Sequence, residues 1–248
     1  MTDETVPSSN HIGQLNEHSL HAALKEWCTR PGDTLESRVG NYVVDVVRDG
    51  LLIEVQTRGL GAIRRKLVHL AAEHRVRVVY PLVVSKSIVT YDADGETVLR
   101  NRRSPLRHKW PNLFDELVRA PELMATPGLE LLAVQVQVTE MRCADGSGSW
   151  RRKGVRVVDT RLEGISETRL FTGLADWLSL LPSTLPQPFT HRQLASAMGV
   201  RITTARRASY CFRQLSVLRE AGRAGNALLL ELAPIERVAA EQNAAMST

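Results

Sequence analysis

The dipeptide Asp49-Gly50 constrains the fold more than any other feature of the chain. It lies between two β-branched, apolar runs, Tyr42-Val-Val-Asp45-Val-Val-Arg48 and Leu51-Leu-Ile-Glu54-Val-Gln56-Thr57. Asp-Gly between such runs is a strong hairpin signal, because both loop positions need positive φ. With that two-residue loop, Arg48 pairs with Leu51. Asp45 is then expected directly opposite Glu54, both side chains on one face. Like charges so placed repel. A cation, a basic side chain or a raised pKa must compensate, and a hard divalent metal suits two carboxylates.

The elements around the hairpin extend this pattern. His18 to Cys28 reads as a helix with Leu20, Ala23, Leu24 and Trp27 on one side. Leu60 to His74 is an amphipathic helix with Leu60, Ile63, Leu67, Leu70 and Ala71 on its apolar face. Val76 to Val84 is a buried strand, so strand, helix and strand make a parallel βαβ unit. Pro81 argues for a strand end or bulge there. A second hairpin is expected around Asp94-Gly95, from Ser87–Tyr91 to Glu96–Leu99. Arg100 to Lys109 reads as a linker or a basic arm. Leu113 to Met124 is expected to be helical. Leu129–Arg142 and Lys153–Arg161 are expected strands around a Gly/Ser-rich loop, and Gly173–Leu181 a short helix. Pro182 to Pro188 is the clearest boundary.

Composition bounds the function classes. The 248 residues carry a net charge of +5 and a pI of about 9.4, which favours a polyanionic partner. No apolar run approaches the ~18 residues that span a membrane. Residues 1–16 contain no apolar signal core, so a cytoplasmic location is expected. Cys28, Cys143 and Cys211 are far apart, and no histidine stands at zinc-ligand spacing from them. No Walker loop, dinucleotide-binding glycine pattern or Gly-x-Ser-x-Gly elbow is present.

The order helix, hairpin, helix, parallel strand, with Asp45 nine residues before Glu54-Val55-Gln56, resembles the PD-(D/E)XK nuclease superfamily over about residues 17–91. The resemblance implies an α/β fold, a mixed restriction-endonuclease-like sheet flanked by helices. It implies Mg2+ or Mn2+ held by Asp45 and Glu54, with the Val55 carbonyl a third ligand. Glu36, or Glu26 on the first helix, would be the extra upstream acid. Val44 replaces the motif's proline, and Gln56 stands where lysine is usual. Gln56 can orient water but cannot carry a proton as lysine does. Lys66 or Arg58 is the candidate for the missing positive charge, and Arg58, Arg64 and Arg65 would meet phosphates.

Residues 189–232 resemble a winged helix-turn-helix. Thr190 would cap a helix ended by Gly199, and Thr203–Arg219 would be the recognition helix. DNA contacts would come from Arg201, Thr204, Arg206, Arg207, Tyr210 and Arg213, with Arg223 in the wing. Arg151-Arg152-Lys153 offers further phosphate contacts. The expected layout is a tail (1–16), a nuclease-like domain (17–99), a β-rich extension (100–182), a winged helix (183–235) and a second tail (236–248). The expected activity is Mg2+-dependent endonucleolytic hydrolysis of DNA in repair or defence, and cutting both strands would favour a homodimer. The alternative is a non-catalytic DNA-binding regulator or adaptor.

Overall fold

The hairpin forms as its sequence dictates. Strands β2 (Tyr42–Arg48) and β3 (Leu51–Val55) are antiparallel, in the register Arg48↔Leu51, Val47↔Leu52, Val46↔Ile53. Asp49 and Gly50 both take positive φ, 45° and 79°. A computed structural model describes residues 19–234, so both tails lie outside the described residues. Around the hairpin stand α1 (Ser19–Cys28), β1 (Thr34–Val39), α2 (Leu60–Ala71) and β4 (Arg75–Tyr91). Next come β5 (Val98–Arg103), α3 (Phe114–Leu117) between two 3-10 turns, β6 (Leu129–Cys143), β7 (Arg156–Phe171) and α4 (Leu174–Leu178).

These strands build one mixed sheet in the order β1-β2-β3-β4-β6-β7, with β5 also paired to β4. The β3/β4 and β4/β6 pairs are parallel and the others antiparallel. The expected α/β class with a mixed sheet therefore holds. The expected β-rich extension is no separate layer, because β6 and β7 continue the same sheet.

Helices cover both faces. Val46, Ile53, Val55, Val79, Val134, Val136 and Val138 pack with Leu20 and Leu24 of α1. Leu52, Val76, Val78, Leu82, Leu131 and Ala133 pack on the other face with Leu60, Leu67 and Leu70 of α2 and with Phe114 and Leu117 of α3. Strands buried on both faces explain the near-unbroken apolar runs. Trp27, expected on the buried side of α1, is 43% exposed.

Pro81 sits inside β4, which runs on for seventeen residues with a shift of its register against β6 between Val83 and Ser85. The Val79 carbonyl accepts from the Gln56 amide on the β3 side, so Pro81, two residues on, turns its nitrogen the same way. There β3 has ended at Val79 and β5 does not begin until Ser87. The missing N–H therefore removes no ladder bond. The second hairpin forms later than expected. Tyr91 pairs with Val98, and β5 takes up Arg100–Arg103.

The C-terminal part comprises β8 (Phe189–Thr190), α5 (His191–Met198), α6 (Ile202–Gln214), β9 (Leu218–Ala224) and β10 (Ala227–Leu232). The three strands form an antiparallel sheet in the order β8-β10-β9. Thr190 and Gln193 cap α5 reciprocally, and Gly199 ends it at φ 62°. Helix α6 stops five residues short of its expected end. Ser216 takes φ 56°, its amide donates to the Arg213 carbonyl, and the Val217 amide donates to the Phe212 carbonyl. That is a Schellman closure with serine where glycine is usual, so the sequence carries no stop signal.

The Pro182–Pro188 stretch does not separate two cores. Phe189, Leu194, Ala205, Phe212 and Leu230 belong to the same buried cluster as α2 and α3. Phe114 meets Phe212 at 5.2 Å and Trp177 at 6.1 Å, and Trp177 stacks on Phe171 at 4.0 Å.

Candidate active site and basic surfaces

The β2/β3 ladder ends at Val46↔Ile53, one pair short of Asp45 and Glu54. Val46 faces the α1 layer, yet Val44 joins the α2 layer, so side-chain alternation breaks at Asp45. The Asp45 carboxylate occupies the position of a ladder partner, with Oδ2 accepting from the Val55 amide at 2.8 Å. His21 Nε2 of α1 lies 3.6 Å from the same oxygen. The expected face-to-face pair is thus replaced by two carboxylates with separate partners.

Glu54 is 8% exposed. Its Oε1 accepts from Lys66 Nζ at 2.5 Å, and the same ammonium donates to the Val43 carbonyl at 2.6 Å. Its Oε2 is buried with no hydrogen-bond partner. An unsatisfied buried acceptor costs about 1–3 kcal/mol, more when charged. Burial pushes the Glu54 carboxyl up, Lys66 pulls it down and the Asp45 charge pushes it up again; it stands above the usual glutamate range. Burial pushes Asp45 up too, but His21, the Val55 amide and Lys25 together hold it below the usual range. One acid is therefore firmly ionised while its neighbour holds its proton more tightly.

Gln56 continues the β3/β4 contact through its backbone, and its side-chain amide donates to the Arg58 carbonyl. The Val55 side chain is buried in the α1 layer. Glu36 does not join the acids as a further ligand. It lies on edge strand β1, its side chain 68% exposed and paired with Lys25 Nζ at 2.6 Å. Glu26 is exposed on α1. Among the described residues, no group of three or more His, Cys, Asp or Glu is arranged to hold a metal ion.

His21 and Lys25 were not among the sequence candidates. Their i, i+4 spacing puts them on one face of α1, the available hint. That this face meets Asp45 depends on a packing contact the sequence does not encode locally.

Of the expected phosphate contacts, Arg58 and Arg65 are exposed, and Arg64 pairs with Glu122 at 3.2 Å. On α6, Arg206 and Tyr210 are exposed, as are Arg201 before it and Arg223 on β9. Arg207 pairs with Asp115 at 2.8 Å and Arg213 with Glu220 at 2.5 Å. Thr204 departs from the expectation. It is 3% exposed and donates its hydroxyl to Asp115 Oδ1 at 3.0 Å, so it faces the core. No helix of the described residues is long and apolar enough to cross a membrane.

An uncharacterized protein of Treponema pallidum (strain Nichols) is 31% identical over 185 residues, which cover 74% of this chain and 73% of the relative. No solved structure matches the chain. Residues 18–172, the span from α1 to the end of β7, match a family model described as Domain of unknown function (DUF8091). The chain belongs to that family.

Proposed function

We propose that the protein hydrolyses phosphodiester bonds in DNA with the help of a divalent metal. Asp45 and Glu54 would be the ligands, and the β8–β10 part would be a winged helix that docks the chain on DNA. One observation carries this reading: a buried glutamate bonded to Lys66 through one oxygen, its second oxygen unpartnered, beside an ionised aspartate. A structural ion pair has no need of a free buried oxygen. Mg2+ is commonly held by one or two carboxylates plus waters and substrate phosphates, so two acids and a backbone carbonyl at Val55 fit it. When bound, such an ion supplies an acidified water and stabilises charge building on phosphorus.

The chain's own groups fill the remaining roles. Lys66 offsets part of the penalty that burial puts on the Glu54 charge and brings a positive charge beside the scissile phosphate. Gln56 orients the attacking water without taking its proton. His21 holds Asp45 at its ladder position. Arg58 and Arg65 bind flanking phosphates, while Arg201, Arg206 and Tyr210 meet the duplex from the C-terminal part.

The test is cleavage of plasmid DNA by the full chain with Mg2+ or Mn2+. Asp45→Asn and Glu54→Gln should each abolish cutting and leave DNA affinity unchanged in EDTA. A second reading, a DNA-binding regulator without catalysis, is favoured by Asp45 and Glu54 already having His21 and Lys66 as partners. It predicts DNA binding without cleavage under any metal.

A further inference from the structure

We propose that the far half of the long sheet is a DNA-binding arm whose tip residue, Trp150, wedges against a base step more than one helical turn from the Asp45–Glu54 site. The proposal rests on the reading that this protein acts on DNA. Trp150 is 83% exposed, the highest among the large apolar side chains described. It stands in the loop joining β6 to β7, followed by exposed Arg151, Arg152 and Lys153. Arg151 lies over its ring at 5.5 Å.

The tip is a closed turn. The Gly148 amide donates to the Gly154 carbonyl at 2.8 Å and the Lys153 amide to the Trp150 carbonyl at 3.0 Å. A Cβ on Gly148 would lie 2.2 Å from the Val155 backbone, so any other residue would force the turn open. An indole held out this way has 150–250 Å² or so to bury against a partner.

Basic residues on both faces of one sheet edge lead from this tip back towards the acids. Beyond Val79, β4 loses β3 as its neighbour, and the segment from Lys109 back to Val98 follows the same edge. The His108 amide donates to the Val83 carbonyl and the Ser104 amide to the Lys86 carbonyl, and Arg103 pairs with Ser87. Arg100, Arg103, Arg152 and Lys153 make no ion pair among the described residues. The acids nearby are mostly engaged: Asp145 by Arg156, Glu140 by Lys86 and Arg142, Asp94 by amides of its own turn.

Charge and length together favour a duplex as the partner. Val78, the partner of Glu54, pairs with Leu131, and Tyr91 pairs with Cys143, twelve residues further along β6. At about 3.3 Å per residue the end of β6 lies roughly 40 Å beyond the site, and Trp150 stands in the loop past it. One turn of B-DNA is about 34–36 Å, so a duplex of more than one turn spans site and tip. Cations along one sheet edge, ending in an exposed aromatic that can wedge between base steps, fit a duplex. A lipid surface would call for a single patch.

The experiment is fluorescence anisotropy of the full chain with labelled duplex DNA in EDTA. On a duplex of about 24 base pairs, Trp150→Ala should weaken binding roughly 5- to 100-fold, the equivalent of losing one base–aromatic contact. Trp150→Phe should keep most of the affinity. R151Q/R152Q/K153Q should lower the log–log salt slope by roughly two to three. On a duplex of about eight base pairs, too short to span site and tip, Trp150→Ala should bind like the wild type. Wild-type affinity of Trp150→Ala on the longer duplex overturns the proposal. So does a Trp150-dependent fluorescence shift with phosphatidylserine vesicles but not with DNA. Metal is absent, so the two readings fail separately. Normal cleavage with an indifferent Trp150 removes the arm alone, whereas a Trp150-dependent affinity without any cleavage removes the nuclease alone.

Discussion

At the scale of single residues, the chemistry concentrates in the Glu54–Lys66 pair. Removing one partner of a buried pair leaves an uncompensated charge, which costs about 3–5 kcal/mol. Lys66→Met should therefore destabilise the fold by about 3 kcal/mol in urea unfolding at neutral pH. The loss should shrink as pH falls, because Glu54 then takes a proton and no longer carries a bare charge. The same raised pKa sets the acid limb of metal binding. A ligand must be deprotonated, so Mn2+ affinity should fall with decreasing pH at values above the usual glutamate range. Calorimetric titration from pH 8 to 5 checks this, and an affinity flat to pH 5 would contradict it. The acids and Lys66 were legible in the sequence from a motif and a helix register. The break in alternation at Asp45 was not, since it arises from a side chain replacing a ladder partner. Thr204 stood among the expected DNA contacts, but its hydroxyl donates to the α3 carboxylate of Asp115 and the residue is buried.

At the scale of elements, two local signals formed as their sequence implies. Asp49-Gly50 made the turn, and Thr190 with Gln193 made a capping box. Thr190→Ala should cost about 1 kcal/mol. The end of α6 was illegible because Ser216 carries the left-handed residue of the closure without glycine. A non-glycine residue there costs about 1–2 kcal/mol, so Ser216→Gly should raise stability by about 1 kcal/mol in thermal or urea melts. In the sequence β4 reads as two strands, Val76–Val84 and Ser87–Tyr91. Its continuity depends on where neighbouring strands start and stop, and pairing partners are long-range information.

At the scale of the whole molecule, the mixed α/β class followed from the βαβ pattern, but the domain layout did not. The proline-rich stretch reads as a linker, yet Phe212 of α6 packs on Phe114 and shares a core with the large sheet. Unfolding should accordingly be a single transition, with far-ultraviolet dichroism and tryptophan fluorescence coincident. Phe212→Ala should cost about 3–5 kcal/mol and lower that one midpoint. Two separated transitions would restore the two-domain layout. A shared core also makes the C-terminal helices a fixed extension of the sheet, so surfaces on α6 and along β4 keep a constant spacing.

The central claim is that Asp45 and Glu54 share one divalent ion, and an anomalous difference map from crystals soaked in Mn2+ tests it most directly. The account predicts a single strong peak between the two carboxylates in the wild type and none in Glu54→Gln. A map with no peak there, or an equal peak in both proteins, contradicts it.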